Sequence, residues 1–122
     1  MMKEIIAIIR PKKVGATKNA LDKLGYPAMT AIPVLGRGKQ RGLIGEINIE
    51  IRPGILEQPR VMKYIPKRQF SIIINDADVD QVLSAIIDIN QTSQFGDGKI
   101  FVCPVDNIVR VRTDEEGEAA IN

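Results

Sequence analysis

The chain contains no histidine, no tryptophan and a single cysteine, and its only aromatic residues are three phenylalanines and two tyrosines. Without histidine, serine–histidine and cysteine–histidine catalysis are excluded, and a zinc site loses its usual nitrogen donors. One cysteine cannot form an internal disulfide. Cys103 lies in an apolar strand pattern and reads as a small buried hydrophobe rather than a reactive thiol. The few aromatics are not interleaved along a strand, so a base-stacking platform for RNA is absent. A net charge of +2 is too near neutral to make nucleic acid an electrostatic partner. No apolar run reaches the length of a membrane span and no signal-type segment opens the chain. A cytoplasmic protein with no direct membrane insertion is expected.

What is present suits one ordinary folded domain over residues 1–122. Apolar residues make up 44% and charged residues 26% of the chain, so Ile, Val and Leu must form the core. Glu4 to Ile9 is a short apolar run that Arg10-Pro11 ends, which predicts a central buried strand. Val14, Ala20, Leu21 and Leu24 recur at near-helical spacing between Lys12 and Leu24, and Gly25 is a natural C-terminal cap. Met29 to Leu35 predicts a second strand and Gln69 to Ile74 a third. Asn75 or Asp76 can cap a second helix whose buried stripe is Val79, Val82, Leu83, Ile86 and Ile87. Ile100 to Val105 predicts a fourth strand and Ile108 to Arg112 a short edge strand.

The order β-α-β-β-α-β is the split βαβ arrangement of an α+β, ferredoxin-like fold. Both helices then cover one sheet face, and the apolar residues on the other face predict self-association. Arg37 to Lys67 is far longer than a hairpin connection requires. Within it Ile47, Ile49 and Ile51 alternate with polar residues. That pattern fits a two-stranded extension of the sheet or, favoured by the length, an arm that presents apolar residues to a partner.

Two glycine clusters carry the chemistry. "GRGKQRG", residues 36–42, and "GDGK", residues 96–99, allow backbone amides to approach an anion, with cations beside them. Each alone fits an ordinary surface hairpin equally well. "GRGKQRG" matches neither a Walker motif nor a dinucleotide fingerprint. Arg110 and Arg112, two apart, would leave the same face of a strand. Lys39, Lys99, Arg110 and Arg112 could then converge on a polyphosphate, across a subunit boundary if the chain is oligomeric. Asp97 is the only apparent base nearby and its flanking glycines suit a turn, so turnover of a bound polyphosphate is disfavoured.

"GRGKQRG", "YIPK", "GDGKIFV" and "RVRT" occur in an order and spacing that resemble the PII family of nitrogen-regulatory signalling proteins. The resemblance runs from "EIIAIIRPKK" to "EEGEAAI". It implies a trimer that binds ATP or ADP between subunits and 2-oxoglutarate together with Mg-ATP. It also implies control of a target through a long T-loop, here about residues 37–66, followed at the far end by an acidic tail, residues 114–122. By motif, the nucleotide set comprises Ile8, Thr30, Gly36, Arg37, Gly38, Lys39, Gln40, Gly96, Asp97, Gly98, Lys99, Arg110 and Arg112. The 2-oxoglutarate set comprises Gly38, Gln40, Arg41, Gly42, Lys67 and Gly96, with Gln40 meeting Mg²⁺ and Lys67 pairing with a carboxylate.

Arg37 stands where the family usually has an aromatic, and Gln94 where it usually has a base. Residues 37–63 contain no Tyr, Ser or Thr, so the family's uridylylation and phosphorylation sites have no counterpart in this segment. The loop length and "MKYIPKR" resemble the nitrogenase-associated branch of methanogens and some anaerobes, in particular its second paralogue. That implies a regulatory protein, not an enzyme, in a homotrimer or a mixed assembly with a paralogous PII subunit. Its target would be dinitrogenase, inhibited by direct binding through Ile47, Ile49 and Ile51 and released by 2-oxoglutarate. Glutamine synthetase and an ammonium transporter are the alternative targets.

Overall fold

A computed structural model describes residues 1–37 and 64–122. Strand β1 (Met2–Ile9) leads through a 3₁₀ turn at Pro11–Lys13 into helix α1 (Val14–Lys23), and β2 (Thr30–Gly36) follows. After the intervening segment come β3 (Ile65–Asn75), α2 (Val79–Asn90) and β4 (Lys99–Val105). The four strands form one sheet in the order β2-β3-β1-β4, with every neighbouring pair antiparallel. This is the predicted ferredoxin-like arrangement.

The local chemistry explains the element ends. Pro11 has its φ preset for a first helical position, so the chain tightens into a 3₁₀ turn before α1 begins. Gly25, at φ 95°, ends α1. The Tyr26 amide donates to the Leu21 carbonyl and the Gly25 amide to that of Asp22, both at 3.0 Å, closing a Schellman motif. Asn75 caps the short 3₁₀ turn ahead of α2, its side chain accepting from the Ala77 amide.

Ile5, Ala7 and Ile9 of β1 and Phe70, Ile72 and Ile74 of β3 point toward the helices and are buried. They pack with Leu21 of α1 and with Val82 and Ile86 of α2. Thr17 and Asn90 join the two helices beneath this core. The Asn90 amide donates to Thr17 Oγ1 at 3.0 Å and to the Ile86 carbonyl at 2.8 Å, and Thr17 donates to the Lys13 carbonyl. Neither position was visible in the apolar spacing, because both are polar residues; their donors are satisfied by these bonds, while Asn90 Oδ1 is buried without a partner among the described residues.

The opposite sheet face carries cross-strand rows of mixed character. Ile32, Gln69, Ile8 and Lys99 are aligned by register, as are Thr30, Ser71, Ile6 and Phe101. Ile32 and Phe101 are each 46% exposed, so apolar area does remain on this face of the single chain.

Several expectations are corrected. Ile87 is 42% exposed and lies outside the buried stripe of α2, which is narrower than the run of apolar residues suggests. Cys103 pairs with Glu4 on the helix-free face and is only partly buried. β3 begins at Ile65, so Ile65 and Pro66 belong to the return strand rather than the loop. The edge strand at Ile108–Arg112 is reduced to one bridge between Val109 and Glu116. The chain reverses too soon for a longer ladder: the Asp114 amide donates to the Arg110 carbonyl, and Asp114 sits at φ 63°. Arg110 and Arg112 therefore do not share a strand face. The acidic C-terminal stretch is tied down. Glu118 accepts from Asn75 and faces the N-terminal ammonium at 3.7 Å, while Ile121 packs on the core.

Candidate functional site

The site is built where β1 ends and β4 begins. Ile8 pairs with Lys99 on one side and Gln69 on the other. Carrying both registers two residues further along β1 places Arg10 between Lys67 and Asp97. Two cations and a carboxylate thus meet at one end of the sheet, under the glycine turn.

Each is satisfied within the turn. Arg10, only 6% exposed, donates through Nη1 to Asp97 Oδ1 at 2.8 Å and through Nη2 to the Phe95 carbonyl at 3.1 Å. Lys67, 7% exposed, donates through Nζ to the Gly96 carbonyl at 2.6 Å. Asp97 also accepts from the Thr92 hydroxyl and from the amides of Thr92 and Ser93, at 2.7 and 2.9 Å. These bonds hold Ser93 at φ 65°, an uncommon conformation for a residue with a side chain.

Burial is the largest single influence on the Asp97 carboxyl and raises its pKa. The bonds from the Thr92 hydroxyl, Arg10 and the two amides together outweigh it and hold the group well below the usual carboxylate range. The sign follows from linkage. A depressed pKa in the folded state stabilises the fold fully above about pH 4, and that contribution is lost as the pH falls below it. Asp97 is therefore a structural anion of the turn at neutral pH, unsuited to proton transfer.

Gly98 is the tightest point. Its φ is 113°, and a Cβ added there would lie 1.9 Å from the Ile8 carbonyl oxygen. The turn rests directly on the backbone of β1, so only glycine fits. Gly96, at φ 98°, is also left-handed. At the end of β2, the Arg37 guanidinium lies over the Tyr64 ring, 5.5 Å from its centroid. This cation–π contact joins the two ends of the β2–β3 connection.

Of the expected residues, Lys67, Gly96, Asp97, Gly98 and Lys99 come together here, and Ile8 lies beneath them. Thr30 is exposed on edge strand β2, two strands away from Ile6 in its row. Arg110 is engaged within its own turn, by Glu115 and by the Ala119 carbonyl at 3.1 Å. Arg112 is exposed on that turn. Gly38, Lys39, Gln40, Arg41 and Gly42, together with Ile47, Ile49 and Ile51, lie outside the described residues. A cavity of about 380 Å³ adjoins the turn, lined by Ile9, Ile86, Asn90, Asp97, Gly98, Lys99 and their neighbours. It opens on the helix side of the sheet, so Ile8 and Thr30 do not line it.

Arg10 and Thr92 were missed as site residues. The signal for Arg10 was legible in part: a cation directly follows an apolar strand, and the antiparallel partner of that strand begins just after an aspartate.

The family described as "Nitrogen regulatory protein P-II" matches residues 2–115. The chain belongs to the PII family. PII proteins are regulatory signalling proteins of nitrogen metabolism rather than enzymes. The chain is 58% identical over 122 residues to the nitrogen fixation nifHD1 region GlnB-like protein 2 of Methanosarcina barkeri, covering 98% of this chain and 99% of that protein. It is 54% identical over 121 residues to the nifHD region GlnB-like protein 2 of Methanococcus maripaludis, covering 98% and 100%. These similarities fall in the nitrogenase-associated second-paralogue branch that the motifs resemble. Among solved structures, the PII protein of Arabidopsis thaliana bound to citrate superposes with a TM-score of 0.74 at 29% identity, covering 98% of this chain and 89% of that one. Among the described residues of this PII chain, no helix is long and apolar enough to cross a membrane, and no group of three potential metal-ligating residues occurs.

Proposed function

We propose that this PII protein senses adenine nucleotide and 2-oxoglutarate and, through its T-loop, binds and inhibits dinitrogenase until 2-oxoglutarate releases it. One observation carries the ligand assignment: the buried Lys67 ammonium lies 2.6 Å from the Gly96 carbonyl, which joins the expected dicarboxylate lysine to the expected phosphate turn. A dicarboxylate needs a cation where water is excluded, and a polyphosphate needs amides and cations at close range. The Arabidopsis relative, solved bound to citrate, supports a carboxylate as one of the ligands. The names of the methanogen relatives, drawn from nif regions, support nitrogen fixation as the regulated process. Gln40 would meet Mg²⁺ and, with Arg41 and Gly42, complete the 2-oxoglutarate pocket.

In this proposal the working unit is a trimer, alone or with a paralogous subunit. The partly apolar helix-free face supports completion of the site by a second copy. Sedimentation at micromolar concentration is expected to give a trimer or a multiple of one, and a stable monomer would remove the intersubunit site. Isothermal calorimetry tests the ligands: ATP binds alone, and 2-oxoglutarate binds only with Mg-ATP present. Arg112→Ala is expected to weaken ATP roughly tenfold, the usual scale of a lost charge-assisted contact, with the fold intact. Unchanged ATP affinity in that variant would exclude Arg112 from the phosphate site.

A further inference from the structure

We propose that Arg10 is a positioning residue for the anion-binding turn, aiming the backbone amides of residues 96 and 97 without touching the anion itself. This rests on the nucleotide assignment above. A trans peptide unit is planar, with its C=O and N–H pointing in opposite directions. Arg10 holds the Phe95 carbonyl, and Lys67 holds the next one, that of Gly96. Both carbonyls are thus drawn toward buried cations, Arg10 just past the end of β1 and Lys67 of β3. The amides on the far side of the same two peptide units, Gly96 N–H and Asp97 N–H, are turned the other way. Consecutive N–H groups aimed outward form an anion-binding concavity.

Asp97 is the second half of the device. By accepting from Arg10 it fixes the guanidinium, and by accepting from Thr92 and Ser93 it closes the turn. It also offsets the repulsion between Arg10 and Lys67, which the register makes cross-strand neighbours. Arginine suits this place better than lysine. Its planar fork reaches a carboxylate and a carbonyl at once, whereas an ammonium on a flexible stem has no fixed fork. The cations therefore act on the anion twice: by their field, and by orienting amides that carry no charge of their own.

The test compares wild type with Arg10→Gln, Arg10→Lys, Asp97→Asn and the Arg10→Gln/Asp97→Asn double variant. Calorimetry with ATP and with inorganic tripolyphosphate is read beside the thermal midpoint and the ¹⁵N-amide shifts of Gly96, Asp97 and Gly98. Arg10→Gln is expected to weaken ATP and tripolyphosphate by about tenfold, with Arg10→Lys between it and wild type. Asp97→Asn should give a loss of similar size, and the double variant should lose little more than either single one, because the two residues act as one unit. Tripolyphosphate should shift the three amides in wild type and much less in Arg10→Gln, while the amides of β1 and β3 stay unchanged. If Arg10→Gln does not fold, Arg10→Lys and Asp97→Asn carry the comparison. Wild-type affinity in Arg10→Gln or, failing that, in Asp97→Asn overturns the inference alone. So do additive losses in the double variant, or losses that follow only the thermal midpoint. Wild-type protein that binds neither ATP nor tripolyphosphate overturns the nucleotide assignment and this inference with it.

Discussion

Replacing Gly98 with alanine is expected to abolish measurable nucleotide binding and to lower the thermal midpoint by roughly 5–15 °C. The new Cβ would sit 1.9 Å from the Ile8 carbonyl oxygen and 3.0 Å from its carbon. Main chain of the central strand cannot yield as a flexible side-chain tip would. Relief must come from the turn, which rises off β1. Overpacking of this kind costs about 1–3 kcal/mol, and holding alanine at a left-handed φ adds roughly 1–2 kcal/mol. Once the turn lifts, Lys99 and the amides lose their relation to Lys67. Gly15→Ala is the matched control. Nothing lies within 4 Å of a Cβ added there, and in the first turn of α1 alanine is favoured over glycine by no more than about 1 kcal/mol. That variant should bind nucleotide normally and melt slightly higher. Calorimetry and thermal melts of the two variants settle the matter; nucleotide binding by Gly98→Ala at wild-type strength would detach the turn from the site.

The second large effect is expected from Lys67→Ala. In the proposed mechanism Lys67 pairs with a 2-oxoglutarate carboxylate, and removing a buried charged partner typically costs about 2–5 kcal/mol, so 2-oxoglutarate binding should fall by roughly 30-fold or more. The bond from Lys67 to the Gly96 carbonyl adds a consequence that the motif alone does not convey. ATP should also weaken, by about threefold, because the turn loses one of its two anchors. A ligand shifts a conformational equilibrium only through its differential affinity for the two states. The variant should therefore stay in its target-binding form. The check is a pull-down of dinitrogenase with ATP present, across a 2-oxoglutarate titration. Release of the variant at the same 2-oxoglutarate concentration as wild type would refute the mechanism.

Much of this protein was decided by sequence alone. Apolar runs with proline and glycine at their ends set four strands and two helices, because strand and helix periodicities are local properties. The order of those elements left one compact arrangement, the split βαβ sheet. The glycine turn at residues 96–99 was legible too, since glycines flanking an aspartate before a strand have few other uses. The missing histidine excluded whole classes of catalysis without any coordinates.

Tertiary structure decided what those residues do. No local pattern shows that Arg10, read only as the end of a strand, faces Asp97 across 87 positions of chain. Cross-strand register brings them together, and register is a property of the assembled sheet. The same holds for Thr17 and Asn90, polar residues that meet in the interior through one bond between the two helices. It holds for Asp97, whose carboxylate is spent on holding Arg10 and closing the turn. Arg110 and Arg112 mark the limit of spacing as a guide. Two residues apart share a face only in a strand, and here the chain turns back after a single bridge. Sequence determined the elements and the chemistry within each; packing determined which charges meet, because pairing across a sheet joins residues that no local rule connects.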